Sequence, residues 1–249
     1  MTNRPLIAIA PDIAEPAPGR LRLECPLTYT RAVSRAGGLP LVLDPEVALI
    51  PGQLVAFDAF LLIGGDDPRT EPFGYPTHPA ANTVPPQRQA KGNAQLRALI
   101  DHPHIPVLAV CLGMQMLGLC AGLRLDQHMP ETLGPDAARL HRAEHGDTLH
   151  TVAPAAGNPA SLPPGEMMVA SRHRQRLLPP TSGPTSRAAI AAIASDGTVE
   201  AITMPGHAFA LGVQWHPERT PEPPLGHDLF ARLIDAARAR RDVRPSKAP

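Results

Sequence analysis

The segment Pro106-Val-Leu-Ala-Val-Cys-Leu-Gly-Met-Gln115 runs apolar residues straight into a cysteine, and a helical pattern follows within a few positions. A strand-to-helix corner of this kind pushes the side chain at the turn out over the end of a sheet. It also sets the Cys111 sulfur at a helix N-terminus, whose dipole favours the thiolate, the attacking form. Gly113 removes the side chain that would otherwise crowd helix against sheet. A small buried core cysteine fits the same pattern, because free cysteine is among the most buried residue types. A second segment, Ala208-Phe-Ala-Leu-Gly-Val-Gln-Trp-His-Pro-Glu218, delivers His216 to a strand end, with Glu218 close behind and Pro217 stiffening the link. A carboxylate bonded to one imidazole nitrogen fixes the tautomer and leaves the other nitrogen to take a proton. Cysteine, histidine and an orienting acid are the parts of thiolate acyl transfer. A turn carrying a surface ion pair would have the same sequence.

Acyl transfer also needs donors for the developing oxyanion. The N–H of Leu112 is one candidate, and the Gly64-Gly65 turn offers another at Gly65, where glycine lets a loop approach a substrate with its amides exposed. An ordinary tight turn is the plainer reading of that pair. It is not a phosphate loop, since neither Gly-x-x-x-x-Gly-Lys nor Gly-x-Gly-x-x-Gly follows it. His141-Arg-Ala-Glu-His145 fits the His-x-x-Glu-His signature of some zinc peptidases. Pro135 and Gly146-Asp147 leave room for only a short helix without an apolar stripe, so no metal site is expected there. Cys120 reads as a core residue and Cys25 is undetermined. His78, His102, His104, His207 and His227 lie near Pro, Gly or Asp and read as exposed loop residues.

The elements that must position these groups alternate in type. Leu6–Ala10 reads as a strand, Pro26–Ala36 as a helix capped by Gly37-Gly38, and Leu39–Leu43 as a second strand. Phe57–Ile63 is almost wholly apolar, as a strand covered on both faces must be. Gln87–Ile100 suits a helix, Val107–Val110 a buried strand and Met114–Ala121 the helix after the cysteine. This alternation predicts parallel βαβ units: an α/β fold with a mostly parallel central sheet flanked by helices on both faces, flavodoxin-like. Residues 134–184 are rich in Pro, Gly, Ala and Ser, and their elements are weak. Ala189–Ala194, Val199–Thr203 and Ala208–Gln214 read as strands, with Asp196-Gly197 as a hairpin turn between the first two. Leu225–Arg241 fits a closing helix. The expectation is a single domain over 1–240 and a loose tail over 241–249.

Composition excludes several function classes. The 249 residues carry 23 basic and 23 acidic side chains, so no basic footprint for a nucleic-acid backbone exists. Only eight aromatics leave little for base stacking. No apolar run approaches the roughly 18 residues of a membrane span, and the opening decapeptide reads as a first strand and a poor signal peptide. Three scattered cysteines make no disulfide framework, and a reducing cytoplasm is the natural location.

Together these segments resemble the class I glutamine amidotransferase superfamily and, more closely, its γ-glutamyl-γ-aminobutyrate hydrolase (γ-glutamyl-polyamine hydrolase) branch. The likeness covers nearly the whole chain: Ala36-Gly-Gly-Leu-Pro40, Gly64-Gly65, Cys111-Leu-Gly-Met-Gln115, Ala121-Gly-Leu-Arg-Leu125, Ser171-Arg-His-Arg-Gln175, Asp196-Gly-Thr-Val-Glu-Ala201 and Phe209 to Glu218. The resemblance implies Cys111 as nucleophile, His216 as base and then acid, and Glu218 as its orienting partner. Leu112 and Gly65 would supply the oxyanion amides, Gln115 would hold the glutamyl moiety, and Ser171, His173 and Gln175 would lie beside the cleft. It implies a small-molecule γ-glutamyl substrate, no metal or organic cofactor, no nucleic-acid or membrane partner, and leaves a homodimer open. Three departures stand out: Ala109 where the family usually has glycine, a short Gly65–Gly74 loop, and the arginines Arg172, Arg174 and Arg176. The last could favour an acidic leaving group or could simply be solvated. Two other functions fit the same residues: a glutaminase feeding ammonia to a separate synthase, and a catalytically silent binder of γ-glutamyl metabolites.

Overall fold

The computed structural model describes residues 4–14, 16–44, 52–180 and 186–243. Strands β1 (Leu6–Ala10), β2 (Asp12–Ala14), β3 (Arg22–Glu24), β4 (Leu39–Val42), β5 (Ala59–Leu62) and β6 (Val107–Val110) fall in the first half. The second half holds β7 (Arg124–Asp126), β8 (Thr148–Pro154), β9 (Met167–Ser171), β10 (Arg176–Leu178), β11 (Ala189–Ala194), β12 (Val199–Thr203) and β13 (Ala210–Val213). The helices that matter are α1 (Leu27–Arg35), α2 (Pro86–Ile100), α3 (Leu112–Cys120), α4 (Met129–Thr132), α5 (Pro135–Arg139) and α6 (His227–Val243).

One sheet runs β4-β1-β5-β6-β13-β12-β11-β8-β9, with β10 pairing β12 and β7 beyond it. The strands from β4 to β13 are parallel, as the alternating pattern predicts. The strands after β13 are antiparallel. Alternate residues point to opposite faces of a strand, and here both faces are dry. Ala8, Phe60, Leu62, Val107 and Ala109 pack under α2 and α3. Ile7, Ile9, Leu61, Ile63, Leu108 and Val110 pack under α1 and α6. This two-sided burial is why the central strands carry no polar alternation.

Helix α1 ends as its sequence predicts: Gly37 adopts φ +93°, and the Gly38 N–H returns to the Val33 carbonyl at 2.9 Å. Six strands have no strong sequence signal: β2 and β3, which form a separate small hairpin, β7 and β10, which pair with each other, and β8 and β9 within the Pro/Gly-rich stretch. The closing helix continues through Arg241, Asp242 and Val243, so the expected tail from 241 loses its first three residues to α6. Its remainder, 244–249, lies outside the described residues. No helix among the described residues is long and apolar enough to cross a membrane.

Candidate active site

Parallel register explains why residues about a hundred positions apart meet. Val110 of β6 pairs with Val213 of β13, and Ala109 with Leu62 of β5. The three strands therefore end together, and the next residues out are Cys111, Gln214 and the Gly64-Gly65 turn. Carboxyl ends of adjacent parallel strands are where open α/β sheets bind their ligands.

Cys111 turns the chain from β6 into α3 with φ +51° and ψ −107°, a left-handed conformation that non-glycine residues rarely hold. The corner is held by its own N–H, which donates to the Val213 carbonyl at 2.8 Å, and by its carbonyl, which accepts the Gln115 N–H at 3.0 Å. A Cβ at Gly113 would stand 2.7 Å from the Leu62 carbonyl oxygen, so helix and strand approach as closely as the sequence requires. Leu112 is the first residue of α3, and its N–H has no intrahelical acceptor. Gly65 runs alongside: a Cβ there would come 2.7 Å from Asp12 Oδ2 and 2.9 Å from Leu112 Cδ2.

Gln214 and His216 project to one side of the chain after β13, while Trp215 is buried in the opposite core and donates its indole N–H to the Leu225 carbonyl at 2.8 Å. His216 Nδ1 donates to Glu218 Oε1 at 2.9 Å. With Nδ1 so committed, the ring's hydrogen bond with Cys111 falls to Nε2. Burial pulls the imidazole down, but the hydrogen bond and charge of Cys111 and then those of Glu218 raise it to about 9. Sulfur, imidazole and carboxylate thus lie in sequence in a nearly dry corner.

Three residues without a sequence-level role complete this corner. The Tyr29 hydroxyl accepts the Gly64 N–H at 3.2 Å and lies 3.4 Å from His216 Nδ1. Burial first, and the Glu218 charge second, hold its phenol well above the usual tyrosine range, so it stays protonated. Gln214 Nε2 donates to the Cys111 sulfur at 3.6 Å, and its Oε1 accepts from Gln115 Nε2 at 3.2 Å. Gln214 had a readable signal, a polar side chain ending an otherwise apolar strand; Tyr29, on the buried stripe of α1, had none. Arg142 is the third. With Arg172 and Arg174 it lines a pocket of 100 Å³ together with Cys111, Gln115, Asp66, Asp67 and Asn82. Burial and then the neighbouring Arg174 and Arg172 make the charge on Arg142 costly. A larger cavity of 530 Å³ shares Gly65 with this pocket and is lined by His216, Glu218, Tyr29, Thr28 and Asp12.

The remaining sequence-derived residues separate. His173 reaches the wall of the small pocket. Ser171 and Gln175 are fully buried behind that wall, where Ser171 Oγ donates to the His141 carbonyl at 3.2 Å. Arg176 points away and pairs with Asp126 at 3.0 Å. Cys120 is half-buried against Asn93, and burial pushes its thiol up to about 11. Cys25 lines the larger cavity. The His-x-x-Glu-His segment is not helical: His141 is buried, whereas Glu144 and His145 are exposed. Among the histidines read as loop residues, His104 and His227 are exposed, while His78, His102 and His207 are half-buried.

The profile of the family described as Peptidase C26 matches residues 5–218. The γ-glutamyl-γ-aminobutyrate hydrolase PuuD of Escherichia coli K12 is 30% identical over 229 residues, covering 84% of each chain. A protein of Mycobacterium tuberculosis, provisionally named a glutamine amidotransferase, is 33% identical over 217 residues, covering 85% of this chain and 67% of that one. Among solved structures, a Thermoplasma acidophilum protein provisionally described as part of a GMP synthase superposes with a TM-score of 0.62 at 16% identity. It covers 97% of this chain and 98% of that one, a likeness of fold.

Proposed function

The chain belongs to the peptidase C26 family of class I glutamine amidotransferase-like proteins, and from that premise we propose that it hydrolyses the γ-glutamyl amide bond of a small γ-glutamyl amine. The Cys111 thiolate attacks the γ-carbonyl, and the oxyanion forms against the N–H groups of Leu112 and Gly65. His216 protonates the departing amine, leaving a γ-glutamyl thioester. It then activates water to release glutamate, while Glu218 keeps the imidazole oriented. The observation that carries this reading is the strained corner at Cys111, set beside an imidazole whose other nitrogen is bound to Glu218 at 2.9 Å.

The two cavities support a division of the substrate. The small pocket beside Gln115 has guanidinium groups for an α-carboxylate and Asp66 and Asp67 for an α-ammonium, so it takes the glutamyl half. The larger cavity adjoins His216, the proton donor, and takes the amine half.

The test is glutamate release from γ-glutamyl-γ-aminobutyrate, γ-glutamyl polyamines, glutamine and folyl-polyglutamate, with Cys111→Ala as control. Turnover of a γ-glutamyl amine by the parent chain and not by the variant is expected. Turnover of glutamine alone would favour the glutaminase reading. No turnover, together with no Cys111 adduct from a γ-glutamyl chloromethyl ketone, would favour the silent binder.

A further inference from the structure

Behind the wall of the small pocket, the polar side chains of four separate segments converge on one oxygen. His141 Nδ1 lies 3.1 Å, His173 Nε2 3.3 Å and His150 Nε2 3.4 Å from Glu200 Oε1. All four residues are buried, Glu200 completely. His141 follows α5, His150 lies on β8, His173 follows β9 and Glu200 lies on β12. We propose that this cluster is a binding site for a divalent transition-metal ion of the zinc type, held by His141, His173 and Glu200.

Proton placement argues for a cation. The His173 Nδ1–H donates to the Gln175 carbonyl at 2.8 Å. A neutral His173 ring therefore turns the Nε2 lone pair toward a carboxylate oxygen, which repels it. His141 is likewise anchored from behind, its Nε2 3.0 Å from Asp196 Oδ2. Metal-bound histidines are held in this way, the far nitrogen bonded to a carbonyl or carboxylate and the near one left to the ion. His141 Nδ1, His173 Nε2 and His150 Nε2 touch Glu200 Oε1 at 3.1–3.4 Å without the alignment of good hydrogen bonds, and neither His150 Nδ1 nor Glu200 Oε2 has a well-formed partner. Buried polar atoms are rarely left so.

Spacing and charge agree. The donor atoms of His141, His173 and Glu200 all lie within 4.8 Å of one another. Tetrahedral zinc with bonds of about 2.0–2.1 Å sets its ligand atoms roughly 3.3 Å apart, close to each nitrogen's distance from Oε1. Glu200 and Asp196 balance a divalent charge with the rings neutral, and two imidazoles with a carboxylate suit zinc and its transition-metal neighbours. The ion would tie together the proline- and glycine-rich half of the chain and fix His173, with Arg172 and Arg174 on either side, against the pocket.

The experiment uses tag-free full-length protein carrying Cys111→Ala, His78→Ala and His128→Ala. These remove the reactive thiol and the surface group of His78, His128 and Glu131 as competing sites. After loading with zinc and desalting, elemental analysis should find one zinc per chain, and cobalt in its place should show the visible bands of a tetrahedral site. Asp196→Asn, on a partly exposed side chain that touches no metal, should weaken zinc in chelator competition by about 10–100-fold. Zinc far below stoichiometry in the loaded protein would overturn the assignment, as would equal zinc affinity with and without Asp196→Asn.

Discussion

Replacing Glu218 by glutamine keeps the shape of the side chain and removes its charge, so it isolates what holds His216 protonated. The carboxylate is 1% exposed and lies 2.9 Å from Nδ1. Against its ordinary 6.5, a histidine held at about 9 has its charged form favoured by roughly 3 kcal/mol, at about 1.36 kcal/mol per unit. That is a net figure, reached against burial and supplied by Cys111 and Glu218 together. One opposite charge at contact distance typically moves a pKa by about 1–3 units, so Glu218→Gln should lower His216 by that amount. The assay is the pH profile of kcat/KM with a chromogenic γ-glutamyl anilide. Its alkaline limb should lie near 9 in the parent chain and about 1–3 units lower in the variant. Stability has a definite sign too. A histidine raised on folding contributes stability that is complete below about 6.5 and is lost as pH rises through about 9. Urea unfolding should therefore show the variant weaker by about 1–4 kcal/mol at mildly acidic pH, the gap narrowing in strong alkali. Coincident alkaline limbs, or a gap that ignores pH, would refute the pairing.

Gly113→Ala forces a Cβ to within 2.7 Å of the Leu62 carbonyl. It should cost about 1–3 kcal/mol, read as a fall in Tm despite alanine's better helix propensity. Tyr29→Phe leaves the half-buried Gly64 N–H without its acceptor, at about 0.5–1.5 kcal/mol, and steady-state kinetics should show the loss mainly in kcat. Arg142→Ala should raise KM by about tenfold or more, from a lost charge-assisted bond of about 1.5–3 kcal/mol. A substrate lacking the α-carboxylate should not distinguish this variant from the parent.

What the sequence disclosed depends on how locally each feature is encoded. The Cys111 corner and the strands around it are legible because an apolar run, a cysteine and a glycine two residues on are sufficient to make the turn. His216 and Glu218 sit at the end of a strand with an equally plain pattern. The spacing of Gly113 predicts a close helix–strand approach, and a Cβ there would stand 2.7 Å from the Leu62 carbonyl. Tyr29 could not be found this way, because only the packing of α1 over Gly64 gives its hydroxyl a partner. His141 belongs to a local His-x-x-Glu-His pattern, whereas its side chain meets Asp196 and Glu200, more than fifty residues along the chain. The strands β8 and β9 escaped because their pairing with each other, with Thr148 opposite Ser171, contributes more than the strand propensity of their residues.

The last strand among the described residues, β13, is not at an edge but in the middle, between β6 and β12. During synthesis the parallel half must wait with one flank open while the stretch between β6 and β13 is made. The thiol is present long before its imidazole arrives, and long-range pairing of this kind is slow to form. A chain cut short before β13 would hold the Cys111 sulfur without the His216 imidazole, because the strand that brings them together is made only after about a hundred further residues.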